Sequence, residues 1–400
     1  MDAPLGEGIT HASVSDPSDC TAAGCPDGMT IYWRGDRAIG HVITNQGAVI
    51  RSRIDHIDAA FLDRIDAEAR DPSVPHLTAS VVICTRDRPD ELVRCLASLP
   101  HQSLRPHEII VVDNASRDTR TRDAALAAGV IYLREDRPGL DIARNRGALH
   151  ATSEIVAYTD DDVLLHPRWL ERLVAAFDAP AIASVTGLVL PAELATEAQQ
   201  HFETYWGFGQ GYHRRDFAPQ DFVNRGSSVF PAWEIGAGAS MAFRRAVFDM
   251  VGLFDERLDV GQAGCSGDSE FWYRLLAHGH SCRYAPDAIA FHFHRRTIEG
   301  LANQIYAYMR GHTAALMVQH ERTGIAANRA RALRWMPAWY AGRFKRRLLG
   351  GQWVEDRFLR REVAGYVAGL RFYCRHRRKP TGRSPVGALR PASPHIEGSR

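Results

Sequence analysis

From Ala79 to Leu190 the chain repeats one pattern: an apolar run, most of them four to six residues long, followed by a polar stretch with an apolar stripe at helical spacing. Runs of this kind are buried on both faces once they become strands, and helices between them cover a parallel sheet by crossing over it. The spacing predicts strands over Ser80–Cys84, Glu108–Val112, Val130–Leu133, Ile155–Thr159 and Ala183–Leu190, with helices over Asp90–Leu99, Arg120–Ala128, Asp141–His150 and Pro167–Phe177. The expected class is therefore α/β, a doubly wound Rossmann-type sheet with helices on both faces. Ligands of such sheets bind beyond the carboxyl ends of the strands, so the residues that follow each run carry the information.

Those residues are polar. Thr85-Arg86-Asp87-Arg88 follows the first run, Asp113-Asn114-Ala115-Ser116 the second, Arg134-Glu135-Asp136-Arg137 the third and Asp160-Asp161-Asp162 the fourth. Neither GxGxxG nor GxxxxGK[ST] follows any of them, which argues against a dinucleotide dehydrogenase and a P-loop enzyme. Three consecutive carboxylates repel one another unless a cation sits among them. Asp160 and Asp162 fall on the same side of an extended strand, an oxygen pair suited to Mg²⁺ or Mn²⁺, whereas capping the next helix needs only one acid.

Other candidates keep two readings at this level. Arg144 is placed to neutralise phosphates held by such a cation, or stands on a solvated helix face. Asp113 accepts from a base or ribose, or closes an Asx turn. Asp268 opens an amphipathic segment either as an N-cap or as a carboxylate able to take a proton. His292 and His294 alternate along a β-like run and share a face, as part of a metal shell or as edge-strand surface residues. Tyr205, Trp206, Phe208, Tyr212 and Trp233 line a sugar-binding surface or pack in a core.

Outside this region the sequence changes character. Residues 1–28 lack an apolar period and are expected to be a disordered leader without the features of a secretory signal. Residues 29–75 predict a small accessory unit, a hairpin around Gly35-Asp36 and a helix from Asp55 to Arg70, ending in the linker Asp71-Pro-Ser-Val-Pro75. Charge is uneven: residues 1–330 hold 32 Lys and Arg against 43 Asp and Glu, whereas residues 331–379 hold 14 against 3. Residues 326–379 are thus expected to be a basic amphipathic helical extension, either facing an anionic membrane surface or packed on the rest, and 380–400 a disordered tail. No nucleic-acid recognition motif accompanies the charge. Seven cysteines, an odd number, fit a reducing cytoplasm, and no apolar window is long enough to span a membrane, so the expected location is cytoplasmic or peripheral on the inner face of the membrane.

The series VVICTRDRP, IIVVDNAS, PGLDIARNRG, IVAYTDDDV, GAGASMAFRR, GLFDERLDVG and GDSEFWYRLL resembles glycosyltransferase family 2, enzymes of the GT-A fold, from about Ala79 to Thr323. The resemblance implies a catalytic domain over residues 76–325, its nucleotide-sugar half at 76–190 and its acceptor half at 191–325. It implies that Thr85, Asp87 and Asp113 hold the base and ribose, that Arg144 lies near the diphosphate, and that Asp160 to Asp162 are the family's DxD motif. Asp162 would then be a metal ligand, Asp160 would serve both metal and ribose, and His292 or His294 would be the family's histidine, with His292 assigned to the metal. Asp268 stands where the family has its catalytic base, usually in a Glu-Asp pair, but Gly267 replaces the acid before it, and Ser240 stands where the family has Asn.

The activity so implied is a single inverting displacement. A sugar passes from a nucleotide-diphosphate donor to a hydroxyl of a polysaccharide, glycan or lipid-linked acceptor, with Mn²⁺ or Mg²⁺ bound and Asp268 as general base. Two rivals fit less well: a sugar-nucleotide nucleotidyltransferase, which should carry a Gly-rich loop after the first strand, and a non-catalytic donor-binding scaffold protein.

Overall fold

The computed structural model describes residues 6–70, 76–224, 228–351 and 356–377. Its first part is a sheet of β1 (Ile9–Ser13), β2 (Gly28–Arg34), β3 (Arg37–Asn45) and β4 (Ala48–Arg53), in that order, followed by helix α1 (Ala59–Arg70). The hairpin expected around Gly35-Asp36 is β2–β3, and Gly35 supplies the turn with φ 61°.

The leader expected to be disordered is corrected here. Within residues 1–28, β1 pairs in parallel with β2 from Ile9↔Met29 to Ser13↔Trp33, and a short 3-10 turn, Pro17–Asp19, is capped by Asp16. Backbone pairing along a sheet edge orders a segment whose side chains carry no apolar period. Nor is the unit separate: Ile9, Met29, Ile31 and Trp33 share one apolar cluster with Leu188, Leu190 and Phe291. The Trp33 ring stacks on His166 with centroids 6.2 Å apart. The linker predicted at 71–75 lies outside the described residues.

The large sheet arises from β5 (Ala79–Thr85), α2 (Pro89–Ser98), β6 (Glu108–Asn114), α3 (Arg120–Ala127), β7 (Ile131–Glu135), α4 (Leu140–His150), β8 (Ile155–Asp160), β9 (Val163–Leu165), α5 (Trp169–Ala175) and β10 (Ile182–Pro191). It continues through α6 (Glu197–Trp206), β11 (Arg215–Phe217), α7 (Pro219–Asn224), β12 (Ser240–Arg244), α8 (Val247–Met250), α9 (Gly267–Ala277) and β13 (Ser281–His292). Every residue of β5 and β10 is buried, as continuous apolar runs require. Apolar side chains of α2 and α5 fill one face, and those of α4 and α9 fill the other.

Strand order is β11-β13-β10-β12-β8-β5-β6-β7, with β9 beside β13. The sheet is mixed rather than parallel throughout, because β12 runs antiparallel between β8 and β10. Two reversals cancel, so β5, β8, β10 and β13 all point the same way. Thr85, Asp160 and His292 consequently emerge at one edge.

The basic extension is helical: α10 (Ile298–Thr323) leads through α11 (Ala326–Ala330) and a π-helical turn, Arg331–Trp335, into α12 (Met336–Leu348) and α13 (Leu359–His376). Met336, Tyr340 and Arg343 form the buried stripe of α12. Met336 and Tyr340 share a cluster with Leu316 of α10 and with Leu359 and Tyr366 of α13. Arg343 is held by Asp356 and Glu362, each at 2.6 Å. The extension therefore packs on α10; the tail predicted at 380–400 lies outside the described residues. All seven cysteines are free. Among the described residues no helix is long and apolar enough to cross a membrane.

Candidate active site

A cleft of about 1520 Å³ opens at the edge where β5, β8 and β13 end. Thr85, Arg144, Asp160, Asp162, His292 and Asp268 all line it; Asp87 and Asp113 do not.

Asp160 is the last residue of β8, and the chain turns through Asp161 and Asp162 into β9, which lies against the end of β13. This brings Asp160, Asp162 and His292 together, each offering a ligand atom within 4.8 Å of the others. His292 Nε2 is 3.3 Å from Asp162 Oδ1. Its Nδ1 lies 3.0 Å from His294 Nδ1, and His294 Nε2 lies 3.1 Å from Glu203 Oε2. Of the two histidines, His292 faces the carboxylates and His294 stands behind it. Two carboxylates and one imidazole form a donor set that fits Mn²⁺, a hard cation that also accepts nitrogen, and also fits Mg²⁺ through its oxygens.

The repulsion expected within the acid triplet is relieved by a residue that sequence reasoning passed over. The Arg88 guanidinium donates to Asp161 Oδ1 at 2.7 Å and to Asp162 Oδ2 at 2.8 Å, and Thr85 Oγ1 donates to Asp161 Oδ2 at 2.7 Å. Burial and then the charge of Asp162 push the Asp161 carboxyl up to about 7. Burial also opposes charge on Asp162, but His292 and Arg88 outweigh it and hold this carboxyl well below the ordinary range. For Asp160, burial first and Asp162 after it raise the carboxyl, with Arg144 acting the other way.

Asp268 sits at the second position of α9 rather than at its N-cap, which is Ser266. Its Oδ2 accepts the Gly238 N–H at 2.9 Å and its Oδ1 the Ser269 N–H at 2.6 Å, so backbone from two segments fixes the carboxylate. Burial, then the nearby Asp259, push its pKa up to about 6, against the pull of Arg144. Asp87, Asp259 and Ser266 hold φ of 56°, 64° and 73°, strained values that the surrounding contacts maintain.

Arg144 does not stand on a solvated face. Only 3% exposed, it donates through Nη1 to Asp141 Oδ1 at 3.0 Å and to Asp259 Oδ2 at 2.8 Å. Gly267 explains itself against this group: a Cβ there would lie 1.9 Å from Asp141 Oδ2. The Asp141 carboxylate thus occupies the space that a side chain at 267 would need, and its Oδ2 is buried without a hydrogen-bond partner among the described residues. Neither Asp141 nor Asp259 was singled out from sequence, although both lie within the quoted motifs PGLDIARNRG and GLFDERLDVG.

Asp87 and Asp113 tie loops together. Asp87 accepts the Arg117 backbone N–H at 2.8 Å and donates its own N–H to Ser116 Oγ at 2.9 Å. Asp113 is fully buried and accepts from Ser116 N–H, Tyr132 O–H and Arg134 Nη1 at 3.0, 2.8 and 2.9 Å. Ser240 is also turned inward, accepting the Trp169 Nε1–H at 2.9 Å. Within the aromatic group, Trp206, Phe208 and Trp233 line the cleft, while Tyr205 and Tyr212 do not.

Residues 80–252 match the family model described as Glycosyl transferase family 2. The pre-mycofactocin glycosyltransferases of two Mycobacterium tuberculosis strains are each 29% identical over 267 residues, covering 65% of this chain and 52% of theirs. The glucosyl-dolichyl phosphate glucuronosyltransferase of Haloferax volcanii is 26% identical over 186 residues, 45% of this chain and 56% of that protein. The chain thus spans about half the length of these relatives. A mannosyltransferase from Pyrobaculum calidifontis in complex with GDP-Man and Mn²⁺ superposes with a TM-score of 0.53 at 19% identity, covering 75% of this chain and 88% of that one. Motif series, mixed sheet and matched model agree: the chain has the GT-A-like layering, and its residues 80–252 match glycosyl transferase family 2.

Proposed function

We propose that this protein is an inverting glycosyltransferase that moves a sugar from a nucleoside-diphosphate donor to an acceptor hydroxyl. One observation carries this: a carboxylate–imidazole cluster suited to a divalent ion and a separately anchored carboxylate, Asp268, line the same cleft. Names of the relatives and of the superposed structure support it, since these are glycosyltransferases and one was solved with GDP-Man and Mn²⁺.

In this reading Asp160, Asp162 and His292 would hold Mn²⁺ or Mg²⁺, which when bound neutralises charge on the departing diphosphate. Thr85 and Asn114, at the ends of β5 and β6, border the donor base and ribose, with Asp87 and Asp113 fixing the loops behind them. Asp268 takes the proton of the acceptor hydroxyl as its oxygen bonds to the anomeric carbon and the bond from that carbon to the diphosphate oxygen breaks. Attack opposite the leaving group inverts the anomeric centre. A retaining route needs a free carboxylate beneath the sugar. Asp259, the nearest alternative, has Oδ2 on Arg144 and Oδ1 on the Val260 N–H. Arg144 serves to keep this acid group charged and placed, close to the diphosphate.

The acceptor is a glycan or lipid-linked hydroxyl. Leu348 and Leu349, 86% and 76% exposed beside Lys345, Arg346 and Arg347, support contact with an anionic bilayer surface. Asp268→Asn and Asp162→Ala test the assignment. The first is expected to bind nucleotide sugar normally and transfer nothing, and the second to lose metal-dependent nucleotide binding. Full turnover by Asp268→Asn overturns the base assignment, and binding unaffected by a chelator overturns the metal site.

A further inference from the structure

Away from the carboxylate cluster the cleft changes chemistry. Trp233, Trp335 and Trp339 are 36%, 67% and 53% exposed, yet all three line this one cleft together with the half-buried Trp206. Single exposed aromatics are ordinary on a surface; their convergence on one cavity marks a surface kept for contact. Arg331 lines the same cleft. Its guanidinium carbon sits 5.0 Å from the centre of the Trp233 ring, whose other neighbour is the His312 ring at 5.1 Å, edge-on.

Arg331 has no carboxylate partner among the described residues, and its Nε is buried without a hydrogen-bond acceptor. Such a donor destabilises the fold until an acceptor arrives. Among the described residues, the acids that line the cleft, Asp160, Asp161, Asp162, Asp259 and Asp268, all belong to the cluster already described. The backbone is unusual at the same place. Arg331 and Trp335 bound the π-helical turn between α11 and α12, a widened turn that recurs at functional sites.

We infer that this end of the cleft is a subsite for a molecule that carries an anionic group, a phosphate monoester or carboxylate, next to an apolar or ring face. The anion pairs with Arg331, and the face stacks on Trp233, Trp335 and Trp339. Only in naming that molecule the acceptor does the inference rest on the glycosyltransferase reading; the binding chemistry stands without it. A neutral saccharide would leave Arg331 unpaired, which is why the charged class is favoured.

Calorimetric titration of the full chain with geranyl phosphate, geraniol, glucose 6-phosphate, glucose and inorganic phosphate tests this. At least one ester is expected to bind about tenfold or more tighter than its neutral counterpart and than inorganic phosphate, a difference of about 1.4 kcal/mol or more. Preference for geranyl phosphate identifies a lipid-linked anion, and preference for glucose 6-phosphate a sugar-borne one. Arg331→Gln and Trp335→Ala should each lose about tenfold in affinity, with Arg331→Lys recovering part of it. Should a variant fail to fold, the salt dependence of the parent decides: ester binding must weaken as NaCl rises. Equal binding of neutral and phosphorylated probes, inorganic phosphate binding as tightly as the esters, or salt-independent binding overturns the inference. Mn²⁺-dependent binding of nucleoside diphosphates, measured in parallel, separates the two readings. Its absence overturns the glycosyltransferase assignment alone, and its presence without ester binding overturns the subsite alone.

Discussion

Arg88 spans two adjacent carboxylates, its Nη1 2.7 Å from Asp161 and its Nη2 2.8 Å from Asp162. The guanidinium does for the acid triplet what a cation would do, and Pro89 starts α2 immediately after it. Arg88→Ala should therefore destabilise the protein by about 1–3 kcal/mol, less than a fully buried pair because the Arg88 side chain is 29% exposed. Manganese should restore part of that loss. Thermal melts of parent and variant with and without Mn²⁺ check this, and identical increments in both would refute it.

The pH dependence follows from Asp268. In the proposed mechanism a base held at about 6 is ionised at neutral pH, so kcat should rise with pH along a limb centred near that value. Asp259→Asn removes a neighbouring negative charge and should move the limb lower. Stability runs in the opposite sense. A folded carboxyl above its unfolded value near 3.8 destabilises the protein increasingly from pH 4 to 6 and fully above. Asp268→Asn is then expected to melt higher than the parent at pH 7.5, by roughly 1–3 kcal/mol, with the gap narrowing toward pH 5.

Metal affinity should depend on side chains behind the proposed ligands. His294 and Glu203 hold His292 in place, so Glu203→Gln should weaken Mn²⁺ binding about 10–100-fold, as other outer hydrogen-bond partners do. His292→Ala should lose at least as much. Titration with Mn²⁺ in the presence of a nucleoside diphosphate measures both, and a Glu203→Gln affinity equal to the parent's would show that the chain of contacts is passive.

Gly267 and Asp141 compete for one space. Gly267→Ala alone should cost about 1–3 kcal/mol, because the methyl group displaces a carboxylate clamped by Arg144. Moving the acid across, with Asp141→Gly and Gly267→Glu together, should restore more transfer activity than either single change. A double-mutant cycle with no coupling would reject the exchange.

Much of this was legible in sequence, for reasons that differ by element. β5 and β8 announce themselves because strands buried on both faces must be continuously apolar, and Asp160–Asp162 because unbalanced charge at a strand end demands a partner. Asp268 and His292 could be placed as candidates but not chosen over capping or surface roles, since that choice depends on the Gly238 N–H and on Asp162, far away in sequence. Arg88, Asp141 and Asp259 carry no local signal that separates them from surface charges; only the fold makes them partners. β1 was missed because its order comes from backbone pairing, which leaves no apolar period to read.

Trp33 lies under His166 and beside Phe291, with Ile9 and Met29 in the same apolar cluster. A fragment cut at residue 80, where the family match begins, would uncover that tryptophan's seat and expose part of the apolar surface around Leu188, Leu190 and Phe291. The smallest piece able to stand alone is thus larger than the piece that relatives share, so expression trimmed to the shared part should give aggregate, while one that keeps the first sheet should stay dissolved.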